Sequence, residues 1–434
     1  MEKIHDHAAG LDLGSAYVYV GLEDETVLRF ATFTEDFHQL ATYLVSRGIT
    51  TVAMEATGVY WVVLYDILTE AGLAVWLVDG RQTRQVPGRK TDVKDAHWIQ
   101  QLHSHGLLNR CFVAEGTLKT LRSYQRQRED HIRSGAMHIN KMQKALIEMN
   151  IRLPEVLSQV HGASGLAMIE AILAGERDKH KLLSLCHQSI IKRKADQVLK
   201  ALEGHYTPVG LFTLQQAYDA YRFYQQQITD CDQAIEQVLE ETHTDLPEPK
   251  GEKRKPIRHH KPKVDRLGDH LLYLFSSRDA TVISGITDYS WFQLYTEIGN
   301  QLSRWPTEKH FTSWLGLSPG QHDSGKKKRN KKKGRTKAGQ LFRNLAQSLL
   351  ESKNIAFGAF GRRLRGRKGP SVAIKATARK LAVQYWRLMV KGQDFVEKGV
   401  KAYEQKIIAQ KQKHLHRLAV EFDMMVIPNK GNMS

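Results

Sequence analysis

Short apolar runs alternate with amphipathic segments over the first 115 residues. The runs predicted as strands are 8–13, 16–22, 27–33, 51–54 and 73–78, and helices are predicted over 36–47 and 59–71. The helical segments repeat apolar residues every three or four positions and end at Gly48 and Gly72. Three strands with short connections, followed by strand–helix–strand units, predict a mixed sheet covered by helices.

The order of these elements, βββαβαβα, matches the ribonuclease H-like fold, to which RuvC-like domains belong. The same order also opens each half of the actin-like kinases. Element order alone therefore leaves two fold classes open, and function has to be argued from the site.

Long helical patterns follow over residues 117–150 and 212–242. In the second stretch, apolar residues keep 3-4 spacing at Leu214, Ala217, Tyr221, Tyr224, Ile228, Cys231, Ile235 and Val238. Eight consecutive a/d positions predict either a coiled coil or a long helical hairpin with residues 117–150. On either prediction Cys231 is a packed residue of the seam and not a reactive thiol.

These patterns predict an α/β plus α protein of several domains. The predicted domains are a mixed-sheet domain over 1–115, ribonuclease H-like or actin-like by its element order, a helical coiled-coil arm with an insert over 116–244, a flexible linker over 245–266, a basic, mainly helical domain over 267–392, and a polar helical tail over 393–434. The linker is expected because its segment is rich in proline and charge and almost without apolar residues.

The composition is that of an ordinary globular protein. Of 434 residues, 41% are hydrophobic and 25% charged, which excludes wholesale disorder. Three widely spaced cysteines predict neither a disulfide framework nor a cysteine-based zinc module, and they fit a reducing cytoplasm. The polar N-terminus predicts no signal peptide, and no apolar stretch approaches the roughly 18 residues of a membrane span. We therefore expect a cytoplasmic protein without a membrane partner.

The positive charge is concentrated in one part of the chain. The formal net charge is +18, and residues 321–400 hold 22 Lys and Arg against four acids. The remainder of the chain is therefore neutral overall. A neutral body joined to one basic region is typical of a protein that binds nucleic acid. The densest run, 326–333, has no interleaved apolar face, which disfavours a membrane surface.

Four carboxylates lie where the predicted elements of the sheet begin or end. Asp12 lies in the first strand, Glu55 directly follows the run 51–54, and Asp92 and Asp95 share one face at the start of a helix. If they converge at the sheet edge, their repulsion favours a hard cation, and Mg²⁺ prefers oxygen ligands. Taken singly, each acid also fits a structural role as a strand end, a lysine partner or a helix N-cap.

The motifs around these acids resemble those of the DEDD insertion-sequence transposases. They are Leu11-Asp12-Leu-Gly, Met54-Glu55-Ala-Thr-Gly-Val-Tyr60 and Lys90-Thr91-Asp92-Val-Lys-Asp95-Ala96. The second half resembles the same family in Trp314-Leu-Gly-Leu-Ser-Pro319, His322-Asp-Ser324-Gly325, Gly334-Arg-Thr-Lys-Ala-Gly339 and Leu341-Phe-Arg-Asn344. The resemblance covers about residues 8–150 and 280–390, in the order that the family has them.

This resemblance implies a prokaryotic transposase and site-specific DNA recombinase of an insertion sequence, related to the Piv DNA invertases. The family's four Mg²⁺-binding acids carry over as Asp12, Glu55, Asp92 and Asp95. Its serine nucleophile carries over as Ser324. The resemblance also implies a structured bridge RNA, encoded by the element, that pairs with donor and target DNA. We further expect a homo-oligomer, a dimer or a tetramer, assembled through the helical arms.

The surroundings of Ser324 suit attack on a phosphate, because such a hydroxyl needs cations to stabilise the phosphoryl oxygens. The residues predicted to bind nucleic acid are Lys326, Lys327, Lys328, Arg329, Arg335, Lys337, Arg343, Arg362, Arg363, Arg365, Arg367 and Lys368. The lysines of 326–333 also fit a basic tail that binds any polyanion, whereas 362–368 precede a predicted helix and favour phosphate contacts. Tyr385 and Trp386 fall at core positions of that helix.

Other classes of protein stay open on the residues alone. An actin-like sugar kinase fits the run 12–15, but a second phosphate loop and a Gly-rich adenosine motif are not found. A RuvC-like Mg²⁺-dependent nuclease would use the same four acids without Ser324, and a Piv-like DNA invertase is the alternative within the resemblance. If the protein only binds nucleic acid without catalysis, the mutual repulsion of the four clustered carboxylates has no explanation. Covalent capture of the protein on cleaved DNA distinguishes the transposase from the kinase, the nuclease and the binding protein.

Overall fold

The computed structural model describes residues 2–24, 27–83, 92–242, 261–319, 336–352 and 357–427, with the backbone alone for 92–93, 393–404 and 407. The chain folds as two units, Met1–Ala114 and Glu115–Ser434. In the part of the chain so described, every helix is too short or too polar to cross a membrane.

A five-stranded mixed sheet forms the first unit. Its elements are β1 Ala8–Leu13, β2 Tyr17–Gly21, β3 Val27–Ala31, α1 Thr34–Ser46, β4 Thr51–Glu55, α2 Trp61–Glu70, β5 Ala74–Val78, α3 Gly80–Thr83 and α4 Asp92–Ser104. The strand order is β3-β2-β1-β4-β5. Antiparallel pairs join the first three strands, and parallel pairs join β1 to β4 and β4 to β5. The predicted mixed sheet is confirmed, and its order agrees with the ribonuclease H-like arrangement.

Helices cover both faces of this sheet. Leu11 and Met54 pack with Leu40 of α1 on one face. Ala53 packs with Ile99 of α4 on the other face. Successive residues of a strand point to opposite faces, so alternate positions of β1 and β4 face α4.

Two long antiparallel helices begin the second unit, α5 Gly116–Glu148 and α10 Pro208–Thr242. Gly135 of α5 lies opposite Tyr224, because a Cβ on Gly135 would lie 3.7 Å from the Tyr224 Cβ. The Tyr224 ring lies between those of His131 and His138, with centroids 5.9 and 5.6 Å away. The 3-4 seam predicted from the sequence thus packs on α5 within one chain, as the hairpin alternative required.

Shorter helices pack around the two ends of this hairpin. One end carries α6 Leu153–Val156, α7 Ala163–Leu173, α8 Lys179–Ser184 and α9 Gln188–Ala201. The other end joins a core formed with α11 Leu267–Leu274, α12 Asp288–Ile298, α13 Glu308–Trp314, α14 Lys337–Glu351, α15 Phe357–Lys368 and α16 Pro370–Lys391, with α17 Gln393–Glu421 as the tail.

Tyr385 and Trp386 are buried in that core, as predicted. The basic residues 362–368 precede α16, as predicted, and they themselves lie in α15, a helix that the sequence did not predict.

A buried ion pair connects the hairpin to the rest of the second unit. Arg128 Nε of α5 donates to Asp232 Oδ1 of α10 at 2.5 Å, and both side chains are almost inaccessible. Arg128 also donates to the Tyr289 hydroxyl of α12, and the other oxygen of Asp232 accepts from the Lys263 backbone. The last residues of the segment predicted as a linker, 261–266, therefore pack against α10, and Val264 is buried there.

Replacing Asp232 by alanine is expected to destabilise the second unit by about 3–5 kcal/mol, because Arg128 would remain buried without its counter-charge. Urea unfolding of the full chain, followed by circular dichroism, measures this loss. The matched control is Asp130→Ala, which removes the partner of Arg133 from an exposed pair and should change stability by less than about 1 kcal/mol. Equal effects of the two changes would contradict the role assigned to the buried pair.

Candidate active site

Parallel pairing of β1 with β4 brings two of the predicted acids side by side. The register joins Leu11 to Met54, so the next residues, Asp12 and Glu55, occupy neighbouring positions at the carboxyl ends of these strands. Adjacent strands lie about 4.8 Å apart, and paired positions share a face. Leu11 and Met54 face α1 and α2, so Asp12 and Glu55 lie on the face that α4 covers. Both are half-buried.

Helix α4 approaches this face so closely that two strand positions must be glycine. A Cβ on Gly10 would lie 2.8 Å from Gln100 Cα, and one on Gly21 would lie 2.6 Å from the His97 backbone nitrogen. Neither distance is possible for a real side chain, so the helix backbone rests directly on β1 and β2. A glycine inside a strand pattern signals such an approach, and sequence reasoning did not use that signal here.

The direction of α4 determines where its acids lie. Ser104, its last residue, accepts a hydrogen bond from the Ile4 backbone, and Gln100 donates to the Ala8 carbonyl at 3.4 Å. The helix therefore runs antiparallel to β1. Its first turn, which carries Asp92 and Asp95, lies toward the end of β1 where Asp12 is found, and Asp95 is half-buried there.

The Glu55 carboxylate fits against α3, the short helix that follows β5. Thr83 Oγ1 donates to Glu55 Oε2 at 2.6 Å. On its other side, a Cβ on Gly80 would lie 2.8 Å from Glu55 Cδ, so a side chain there would displace the carboxylate from its present position. Trp98 of α4 donates its indole N–H to the Thr83 carbonyl at 3.1 Å. Neither Gly80 nor Thr83 carries a sequence signal that would have identified it.

A further carboxylate at this edge, Asp79 after β5, already has a cation. Arg81 binds it through Nη2 at 2.5 Å and Nε at 3.0 Å. The hydrogen bond and charge of Asp79 raise the pKa of the Arg81 guanidinium above its ordinary value. Asp79 also accepts from the Arg81 backbone N–H, which caps α3. This carboxylate therefore has a structural role at the start of α3.

The structure assembles only part of the predicted site. Asp12 and Glu55 are neighbours, but among the described side chains no three of His, Cys, Asp or Glu stand close enough to hold a metal ion. The side chain of Asp92 lies outside the described part of the chain, as do Ser324, the run 326–333 and Arg335. The donor chemistry nevertheless fits Mg²⁺, because the predicted ligands are all carboxylate oxygens.

The described cations of the predicted nucleic-acid surface differ in the partners that they have within the fold. Arg343 donates to the Gly316 carbonyl, and Arg362 donates to the final carbonyls of α14, so both hold the fold together. Arg365 pairs with Glu351 at 2.8 Å. The others are exposed to solvent and lie at the start of α14 or along α15: Lys337, Arg363, Arg367 and Lys368.

Two family models match the chain, and both describe transposases. A DEDD transposase model of the IS110 type matches residues 9–151, from β1 to just beyond α5. A second transposase model matches residues 280–361, which run into α15. The mixed sheet and its acids thus belong to a DEDD transposase. By the description of the second model, the chain is a member of the IS116/IS110/IS902 family. No curated protein matches it.

Replacing Gly10 by alanine is expected to push α4 off the sheet and to destabilise the first unit by about 1–3 kcal/mol or more, as overpacking does. Hydrogen exchange measured by mass spectrometry should then show faster exchange across Asp92–Ser104. The control is Gly14→Ala, whose Cβ would meet only the Tyr17 carbonyl at 3.3 Å and should leave α4 protected. Unchanged protection in Gly10→Ala would contradict the close approach.

Proposed function

We propose that this transposase cuts and rejoins DNA with Mg²⁺ held by Asp12, Glu55, Asp92 and Asp95. The observation that carries the proposal is the adjacency of Asp12 and Glu55 on the sheet face covered by α4. Two neighbouring carboxylates repel each other, and a divalent cation offsets that repulsion. When bound, Mg²⁺ supplies charge stabilisation to the phosphoryl oxygens and lowers the pKa of an attacking hydroxyl.

In this proposal the protein's own groups orient the reaction. Asp12 and Glu55 contribute oxygen ligands from neighbouring strands, and Asp92 and Asp95 contribute theirs from the first turn of α4. Rigid strands and a closely packed helix suit this task, because catalytic geometry has to be maintained to within a fraction of an ångström. Asp79, which pairs with Arg81, is not one of the four proposed ligands.

The nucleophile in this proposal is the Ser324 hydroxyl. Its oxygen attacks the scissile phosphorus, the bond from phosphorus to the leaving strand oxygen breaks, and the hydroxyl proton passes by way of solvent to that leaving oxygen. One strand end is then joined to the protein as a phosphoserine ester, and the other carries a free hydroxyl. Attack by a hydroxyl of another strand reverses these bonds and releases Ser324, so no outside energy source is needed for rejoining.

Phosphate binding is assigned to the basic region of the second unit. Lys337, Arg363, Arg367 and Lys368 are exposed along α14 and α15 and suit phosphate contacts, which position a nucleic acid without reading its bases. Recognition of a particular DNA sequence therefore needs another component. We propose a structured RNA encoded by the element, which pairs with donor and target DNA, and a dimer or tetramer as the active form.

The RNA partner is tested by purifying the full-length protein from cells that carry the complete element. Sequencing of the copurifying RNA should recover one discrete species transcribed from the element, since a guide has to be selected over bulk RNA. The variant Arg363→Glu/Arg367→Glu should recover less of it, because phosphate contacts dominate such affinities. Recovery of ribosomal and transfer RNA in proportion to their abundance would remove the guide from the proposal.

The metal site is tested by Asp12→Asn, which keeps the shape of the side chain and removes its charge. Strand cleavage in Mg²⁺ should fall by at least about 100-fold, the order of effect expected for loss of a group that stabilises the transition state. The control is Glu35→Gln, an exposed acid in the first turn of α1, which should cleave like the parent. Cleavage by Asp12→Asn at the parental rate, or parental cleavage that persists in EDTA, would refute the metal site.

The nucleophile is tested by Ser324→Ala, with Ser318→Ala, six residues earlier in the chain, as the control. Denaturing gels of labelled DNA should show a protein-linked band for the parent and the control, and none for Ser324→Ala. Its DNA affinity should stay near that of the parent, because lysines and arginines dominate affinity. Parental cleavage by Ser324→Ala would make water the nucleophile and the protein a RuvC-like nuclease.

A further inference from the structure

Thr83 occupies a buried position between Glu55 and the helix that carries Asp92 and Asp95. Its hydroxyl lies 2.6 Å from Glu55 Oε2 and 3.2 Å from the Gly80 carbonyl. A hydroxyl has a single proton, and the shorter contact to a carboxylate is the stronger one. The Thr83 proton is therefore donated to Glu55, while the Thr83 carbonyl accepts from Trp98, three residues after Asp95.

Hydrogen bonds of the residues just before Thr83 position it. Asp79 caps α3 at its start by accepting from the Arg81 backbone N–H. Gln82 forms two hydrogen bonds with the backbone of Asn109, accepting from its N–H at 2.8 Å and donating to its carbonyl. The short helix is thereby attached to β5 and to residue 109, and these contacts position the Thr83 hydroxyl beside Glu55.

We propose that Thr83 is a positioning residue, which holds the Glu55 carboxylate in one orientation and fixes its distance from α4 through Trp98. The inference rests on the proposed function, in which Glu55 and the acids of α4 bind one metal centre. A free glutamate side chain loses rotamer freedom when it ligates a metal, and a ligand that is already oriented loses less. Partners of metal ligands typically change metal affinity by about 10–100-fold.

The test measures metal binding by the full-length protein without DNA, using Mn²⁺ as the probe and electron paramagnetic resonance as the readout. Thr83→Val keeps the shape of the side chain and removes the hydroxyl, and it should raise the Mn²⁺ dissociation constant about tenfold or more. Thr83→Ser restores the hydroxyl and should bring the constant back to near the parental value. The Mg²⁺ concentration for half-maximal cleavage should move in parallel, with the rate at saturating Mg²⁺ nearly unchanged.

The matched control is Thr51→Val, which removes another buried threonine hydroxyl from the same unit. Thr51 lies at the opposite end of β4, where its hydroxyl donates to the Ala74 carbonyl at 2.9 Å. This variant should show a loss of stability but bind Mn²⁺ like the parent. If Thr83→Val also binds Mn²⁺ like the parent, or if Thr83→Ser binds as weakly as Thr83→Val, the positioning role is overturned.

Two further variants separate the possible failures. If Glu55→Gln binds Mn²⁺ normally, the proposed metal site itself is wrong. If Glu55→Gln loses Mn²⁺ while Thr83→Val retains it, only the positioning role fails. Should Thr83→Val not fold, Trp98→Phe decides, because it keeps a ring and lacks the N–H that binds the Thr83 carbonyl. Weaker Mn²⁺ binding by Trp98→Phe supports the proposal, and unchanged binding refutes it.

Discussion

The arrangement of the N-terminal unit depends on the contact between the backbone of α4 and the backbones of β1 and β2. Gly10 and Gly21 make it possible, since a Cβ at either position would overlap α4. With a larger residue the helix would have to rise from the sheet. The first turn of α4 would then move away from Asp12, and Trp98 would lose the Thr83 carbonyl. The positions of Asp92, Asp95 and Glu55 thus depend on glycine at these two strand positions.

In the second unit a buried polar network determines how the helices pack. Arg128 and Asp232 are costly to remove from water, but the backbone of Lys263 and the hydroxyl of Tyr289 satisfy their remaining bonds. An apolar seam can slide along a helix pair, whereas a charge pair with directional partners fits one register only. The network therefore specifies how α5, α10 and α12 meet, and Arg126 adds a second pair with Glu297 of α12.

The sequence predicts most strands and long helices to within a few residues, because apolar runs and 3-4 spacing depend on local patterns. What it misses depends on partners distant in the chain. Helix α15 contains three glycines and a basic run, and one of them, Gly361, packs closely against α14, where a Cβ would lie only 2.8 Å from Leu350 Cγ. The seam pattern assigns position 231 to the interior, yet Asp232 is the more buried residue. Its counter-ion, Arg128, lies 104 positions earlier, so no local sequence pattern could predict the pair.

The two carboxylates at the ends of β4 and β5 have different hydrogen-bond donors. Asp79 forms an ion pair with the Arg81 guanidinium and accepts the Arg81 backbone N–H at the start of α3. Within the described residues the donor to Glu55 is the neutral hydroxyl of Thr83. A neutral donor orients the Glu55 carboxylate without cancelling its charge. In the proposed site, a divalent cation offsets the repulsion between Glu55 and the adjacent Asp12 carboxylate.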